Sequence, residues 1–193
     1  MFCNLGIKIG STISNQSWEY QNLNFDREFD NWMGGYFGIY YQLLEKKPFT
    51  IYAELSFSTM GTKEQIQGEI VWENTQGYVD TELISLINKF SFCSAAIIGR
   101  LKPNVDRIIP YLCIGPRVDY LIDKKSNYNS IVIKEFETFG YGLVYGVGLE
   151  INLFHSNNII FESTLNTDLS YLYKTDVLSV KKLSYDFKFG YEF

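Results

Sequence analysis

The sequence lacks any apolar run long enough for a transmembrane helix. Such a helix needs about 20 consecutive, mostly apolar residues, and polar residues interrupt every run well before that length. A signal-peptide pattern is also absent before the first apolar alternation. The chain is therefore expected to be either cytosolic or a mature form whose targeting segment was removed. Proline is scarce as well, at 4 of 193 residues.

The sequence contains few residues or motifs that are typical of a catalytic site. The chain holds one histidine, His155, in a short expected turn beside Ser156. A serine hydrolase needs these groups brought together in space, and adjacency in sequence does not supply that geometry. The sequence contains no GxSxG, HExxH, P-loop or dinucleotide-binding glycine pattern. We therefore predict that the protein is not an enzyme, and that His155 is an exposed turn residue.

The cysteine and charge patterns exclude further classes. There are three cysteines and no CxxC spacing, so neither a disulfide framework nor a zinc knuckle is indicated. Cys93 and Cys113 could face each other across a hairpin, but the simpler interpretation is that all three are small buried hydrophobic residues. The net charge of −5 gives no electrostatic support for a nucleic-acid partner. No metal and no cofactor are predicted.

What the chain does have is aromatic residues in strict alternation, with 15 Phe and 15 Tyr. In the last 13 residues every odd position from Leu183 to Phe193 is apolar, and every even position is polar or glycine. Alternation of this kind predicts a strand with one apolar and one polar face. The same pattern predicts eight strands in all: Cys3–Thr12, Trp32–Leu44, Phe49–Met60, Lys89–Leu101, Ile108–Ile122, Phe139–Leu153, Ile159–Tyr171 and Lys181–Phe193.

The connections between these strands alternate long and short. Long polar connections are expected at 14–31, 61–88 and 123–136, and short turns lie between the other strand pairs. An even number of strands with this alternation is typical of a bacterial outer-membrane barrel. The expected strand lengths also match the roughly 9–11 tilted residues that cross a bilayer. We predict one domain, residues 1–193: an all-β, eight-stranded antiparallel up-and-down transmembrane β-barrel in the cell outer membrane of a Gram-negative bacterium.

Periodicity gives two faces but does not say which is inside. A soluble calycin-like barrel would turn the apolar face inward around an apolar ligand. The sixth strand argues for the reverse, since its glycines 140, 142, 146 and 148 share the polar face. Small residues suit a crowded lumen and would weaken an exposed strand. Charges of both signs lie mid-strand on the polar face and are expected to pair in the lumen: Lys8, Glu54, Arg117, Asp119, Glu150, Glu162, Asp168, Asp186 and Lys188.

Aromatic residues near the expected strand ends resemble the girdles that flank a membrane barrel. They would face outer-membrane lipid, although aromatics favour any strand. The aromatic C-terminus, with Tyr191 and Phe193, is expected to be an assembly signal read by the barrel-assembly machinery. The loop aromatics Trp18, Tyr20, Trp72 and Tyr78 are candidates for binding a protein or glycan partner, or for anchoring at the interface.

Five segments in order resemble the PorT-like outer-membrane β-barrel family, a porin family of Bacteroidetes-type bacteria. They are GIKIGSTIS (Gly6–Ser14), AELSFSTMGTK (Ala53–Lys63), PYLCIGP (Pro110–Pro116), YGLVYGVGLEI (Tyr141–Ile151) and FKFGYEF (Phe187–Phe193). The fourth strand departs from the family, which often has a proline where this chain has Ser94 and Ala95. The resemblance implies an eight-stranded outer-membrane barrel and no particular reaction.

Three functions remain open on the sequence. The first is a non-enzymatic structural or partner-binding protein that acts through its long loops and has a side-chain-filled lumen. The second is a narrow porin-like channel for small solutes. The third is the soluble calycin-like barrel. The directions of Tyr145 and Glu150 relative to the barrel axis separate the third from the others.

Overall fold

A computed structural model describes residues 4–20, 26–27, 29–70, 80–103, 107–127, 135–153 and 157–193. Eight long strands, labelled β1 to β8 in chain order, dominate this part of the chain. Their bounds are Leu5–Tyr20, Asp30–Lys46, Phe49–Ile70, Asp80–Leu101, Ile108–Ser126, Phe139–Asn152, Asn158–Asp168 and Leu178–Glu192. None of the described residues forms a helix long and apolar enough to cross a membrane.

The eight strands form a closed antiparallel barrel. Each strand pairs with its sequence neighbour, and β8 returns to pair with β1 from Gly6 opposite Glu192 to Tyr20 opposite Leu178. Closure leaves no long edge strand exposed around the barrel wall. Two-residue strands at Asp26–Arg27 and Tyr173–Lys174 add to the rims beside β1 and β8. The predicted eight-stranded up-and-down fold is confirmed.

The apolar face points outward and the polar face inward. On β6, Tyr145 is 39% exposed and Glu150 is 3% exposed. The closing strand shows the same division, with Phe187 exposed and its neighbours Asp186 and Lys188 buried. A soluble calycin-like barrel requires the opposite arrangement, so that alternative is wrong. The continuous outward apolar surface, called the outer belt below, suits the hydrocarbon of a membrane.

The glycines of the polar face make room for rings inside the barrel. Gly148 on β6 lies opposite Tyr111 on β5, and Gly6 on β1 lies opposite Tyr40 on β2. A Cβ atom at either glycine would overlap the ring of its tyrosine. Each tyrosine therefore lies flat over a glycine instead of projecting across the lumen.

The strands are longer at one end than the alternation predicts. This end, where the long connections lie, is called the loop end, and the end with the short connections and both chain termini is the turn end. The β3–β4 ladder continues to Ile70 opposite Asp80, and β1 and β5 extend to Tyr20 and Ser126. The expected loops 14–31, 61–88 and 123–136 are therefore partly strand. A polar stretch does not end a strand as long as the neighbouring strand continues to pair with it.

Strand β7 is shorter than predicted. The chain leaves the barrel wall after Asp168 rather than after Tyr171. The backbone N–H groups of Leu169 and Ser170 both donate to the Tyr141 carbonyl, at 3.0 and 3.1 Å. This shared acceptor turns the chain out of the ladder.

Candidate functional site

The centre of the lumen holds two lysines between two glutamates. Lys8 Nζ on β1 donates to Glu54 Oε2 on β3 at 2.6 Å and to Glu162 Oε1 on β7 at 2.9 Å. Lys188 Nζ on β8 lies 3.4 Å from Glu162 Oε1 and 3.8 Å from Glu54 Oε1. All four side chains are buried. Opposite charges at these distances compensate one another in an interior where an unpaired charge would be costly.

Beside this group, Arg100 lies in a cage of aromatic rings. Its guanidinium carbon is 4.1 Å from the Tyr52 ring centroid, 4.7 Å from that of Tyr111 and 5.3 Å from that of Tyr40. The ring faces are electron-rich and attract the cation. Arg100 Nη2 also lies 3.6 Å from Glu162 Oε2.

The tyrosine hydroxyls fix the surrounding carboxylates. Tyr111 donates to Glu162 Oε2 at 2.9 Å, and Tyr36 donates to Glu54 Oε1 at 2.6 Å. Tyr40 donates to a third carboxylate, Glu192 Oε2, at 2.9 Å. Each ring thus contributes both a face for a cation and a donor for an anion, which makes the lumen rigid as well as neutralised.

A second charged group lies nearer the loop end. Arg117 Nη2 donates to Asp168 Oδ1 at 2.8 Å, and its Nε lies 3.0 Å from Asp119 Oδ1. Lys182 Nζ donates to Asp119 Oδ2 at 2.6 Å. Between the two groups Asp186 accepts hydrogen bonds from Thr12 and Asn166, at 2.8 and 2.7 Å.

The loop end of the lumen is apolar. The mouth cluster comprises Trp18, Phe29, Met60, Phe90, Phe92, Leu121, Phe136, Leu172, Leu178 and Val180. The rings of Phe90 and Phe136 stack with centroids 5.4 Å apart. Phe29, Phe136 and Leu172 come from the connections between strands, so these connections fold back over the barrel and cover its charged interior.

The turn end is polar instead. Lys102 pairs with Glu150 there, and Glu192 accepts from Asn4 and Asn158 at 3.0 Å each. A cavity of about 140 Å³ lies beside Lys102 and Glu150. Deeper in the lumen, a cavity of about 20 Å³ lies among Tyr36, Glu54 and neighbouring side chains, which is close to the space one water molecule needs.

All nine charged residues predicted to face the lumen are buried inside the barrel: Lys8, Glu54, Arg117, Asp119, Glu150, Glu162, Asp168, Asp186 and Lys188. Eight of them lie in or between the central and loop-side groups, and Glu150 pairs with Lys102 at the turn end. The described residues include no group of His, Cys, Asp and Glu side chains arranged to hold a metal ion.

The sequence alone did not single out Arg100. Arg100 lies on the inward face of β4 together with Phe92 and Ile98. Because these two neighbours are apolar, the inward face of this strand does not show the polar character that is usual inside a membrane barrel. Residues an even number of positions apart share one face of a strand. The spacing of Arg100 from Phe92 and Ile98 therefore indicated that all three share a face. Lys182 also belongs with the paired lumen charges.

Other expected positions have mixed outcomes. Trp18 and Tyr20 lie in β1 rather than in a loop; Trp18 is buried in the mouth cluster, and Tyr20 is partly buried against it. Cys93 and Cys113 are both free, with Cys93 exposed, so Cys93 is not the buried hydrophobe expected. His155, Trp72, Tyr78 and Cys3 lie outside the described residues.

The aromatic C-terminus lies on the outer belt. Phe193 is exposed and its ring meets that of Tyr191 edge to face, with centroids 5.0 Å apart. Both rings are at the turn end, where β8 closes on β1.

No protein-family model matches the sequence, and neither does any curated protein. Solved structures do match. The outer-membrane protease OmpT from Escherichia coli is 8% identical with a TM-score of 0.53, over 99% of this chain and 96% of OmpT. OprG from Pseudomonas aeruginosa is 13% identical with a TM-score of 0.48, over 98% and 95%. Ail, the attachment invasion locus protein of Yersinia pestis, is 15% identical with a TM-score of 0.43, over the whole of both chains.

These identities bear on the fold and not on activity. The likeness to OmpT supports a membrane barrel, in agreement with the outer belt and the enclosed charges. The chain is an eight-stranded β-barrel of the outer-membrane type, and the predicted location in the outer membrane agrees with that architecture.

Proposed function

We propose that the protein is a non-enzymatic outer-membrane barrel with a structural or partner-binding role at its loop end. The observation that carries the proposal is the filled lumen, in which the charged side chains pair with one another or accept hydrogen bonds from neighbouring groups. Such an interior stiffens the barrel and leaves little space for solutes. The surface at the loop end is then the part free to meet a protein or glycan.

The absence of catalysis is part of this proposal. The sequence offers one histidine and no nucleophile motif. In the lumen, Glu54 and Glu162 are paired with Lys8 and Lys188, so neither carboxylate is poised for acid–base work on a substrate. The charged interior is best explained as a structural core.

The PorT-like family is the finer assignment that we propose. Its support is the order of five segments along the chain. We also propose that Tyr191 and Phe193 form the signal that the barrel-assembly machinery reads. Replacing Phe193 with a polar residue is expected to impair assembly in the outer membrane, and normal assembly of that variant would contradict the signal.

Conductance in planar lipid bilayers tests the main proposal. The barrel refolded in detergent is expected to migrate differently on a gel before and after heating, and to give no stable single-channel steps once inserted. Steady steps from a heat-modifiable preparation would instead support the narrow porin-like channel. That second candidate rests on the polar turn end with its cavity of about 140 Å³.

A further inference from the structure

Two lysines converge on one tyrosine ring at the loop end of the β7–β8–β1 wall. Lys174 Nζ lies 4.7 Å and Lys181 Nζ 4.5 Å from the centroid of Tyr171. Lys181 belongs to β8, and Tyr171 and Lys174 belong to the connection that precedes it. The electron-rich ring attracts both ammonium groups and fixes their positions at this wall.

The connection that carries Tyr171 is anchored on both sides. Leu172 is buried in the mouth cluster. The two-residue strand Tyr173–Lys174 pairs with Ser179 and Val180 of β8. The two ammonium groups are therefore presented from an ordered piece of backbone.

Neither lysine has a counter-ion within the described part of the chain. Among the described side chains, no carboxylate oxygen lies within 4.0 Å of either Nζ, although Glu19 and Asp176 are near in sequence or register. The next residue along β8, Lys182, points into the lumen and binds Asp119 at 2.6 Å. Adjacent lysines thus differ completely, since one is neutralised inside and the other is left available outside.

A cleft lined by Lys181 lies in the same wall, toward the loop end. Its volume is about 300 Å³, and its lining includes Asn15, Ser17, Thr167, Lys181 and Leu183. The carboxylate of Asp168 also borders it and is paired with Arg117 at 2.8 Å. Hydroxyl, amide and ammonium groups are all donors to a phosphate oxygen. Below the cleft the surface is apolar, with Leu183 and Tyr185 exposed along β8.

We infer that this surface binds the anionic, phosphate-bearing headgroup of a lipid in the membrane leaflet at the loop end. The lysines and the cleft donors meet the phosphate, and an acyl chain lies along Leu183 and Tyr185. Contact with the apolar belt favours a lipid over a free phosphate ion. The inference rests on the membrane location of the barrel and holds whether or not the lumen conducts.

Lipid retention measured by native mass spectrometry tests the inference. The full chain is placed in nanodiscs of equimolar dimyristoyl phosphatidylglycerol and dimyristoyl phosphatidylcholine and then released into detergent. We expect one retained phosphatidylglycerol in preference to phosphatidylcholine. Each lysine near an anionic headgroup contributes about 1 kcal/mol, so the double variant Lys174→Gln/Lys181→Gln is expected to bind about 30-fold more weakly.

The matched control is Lys124→Gln/Lys125→Gln, which makes the same change of charge at the same end of the barrel. Lys125 there already pairs with Asp123 at 3.1 Å, so retention should stay at the wild-type level. Tyr171→Leu keeps both charges and is expected to weaken retention about threefold through the lost ring contact. Heat-modifiable migration of every variant separates loss of binding from loss of the fold.

Three results would overturn the inference. The first is equal retention of the two lipids by the wild type. The second is an equal loss of retention in the control pair. The third is displacement of the retained lipid by millimolar inorganic phosphate, which would identify a site for a free anion instead.

Discussion

The two ends of the lumen are closed by opposite means. At the loop end the mouth cluster covers the interior with stacked rings such as Phe90 and Phe136. At the turn end the interior meets solvent through the polar pair Lys102 and Glu150 beside a cavity of about 140 Å³. One end of the lumen is thus covered by apolar side chains, and the other end is polar and has a cavity beside it.

This difference assigns separate tasks to the parts of the interior. The central charges lie between the two ends and are fully enclosed, so each of them depends on opposite charges inside the barrel. The mouth cluster keeps water away from them on one side. The turn-end pair contributes less, because Lys102 is partly exposed and Glu150 keeps a second cation, Arg100 at 3.9 Å, when Lys102 is lost.

The largest effect is expected from removing a central charge. Lys8→Met keeps much of the side-chain volume but leaves Glu54 and Glu162 short of their closest cation. The free energy of unfolding is expected to fall by roughly 4 kcal/mol. Urea unfolding in lipid vesicles, followed by tryptophan fluorescence, measures the loss, and Lys46→Met at an exposed position is the control. Equal stability of the two variants would mean that the central pairs are not structural.

A somewhat smaller effect is expected at the mouth cluster. Phe90→Ala removes a buried ring and its stack with Phe136, for a loss of roughly 3 kcal/mol. Phe90→Leu preserves an apolar cover and should cost under about 1.5 kcal/mol. The same unfolding experiment compares them. If the alanine variant were as stable as the leucine variant, the cover would contribute nothing to holding the loop end closed.

The smallest effect is expected at the turn end. Lys102→Ala leaves Glu150, which is itself buried, with Arg100 Nη1 at 3.9 Å and a cavity of about 140 Å³ beside it. The expected loss is about 1 kcal/mol. A loss equal to that of Lys8→Met would contradict the distinction between an enclosed centre and a solvated entrance.

Alternation along single strands predicted the barrel and the two faces of its wall. It placed Lys8, Glu54 and Glu162 on one face because parity is a local property of a strand. It did not predict which charges meet, since partners such as Lys8 and Glu162 are joined only across the lumen. Alternation did not predict where the strands end either. A strand's pairing stops where the neighbouring strand leaves the sheet, as β7 does at Asp168.

The mouth cluster shows a different limit. Phe90 and Phe92 are apolar yet face inward, against the rule that a membrane barrel is polar inside. Their position follows from residues such as Phe136 that pack over the opening from a connection. No periodic signal in β4 carries that information.

The seam between β1 and β8 joins the two ends of the chain, and it also brings Lys8 and Lys188 to the same pair of glutamates. A slip of one residue along this seam would send Lys182, Asp186 and Lys188 into lipid and Phe187 into the lumen. The enclosed charges therefore disfavour any pairing of β1 with β8 in the wrong register. Only the correct register lets β8 pair with β1 without placing charged side chains in hydrocarbon, so a misregistered barrel is less stable than the correct one.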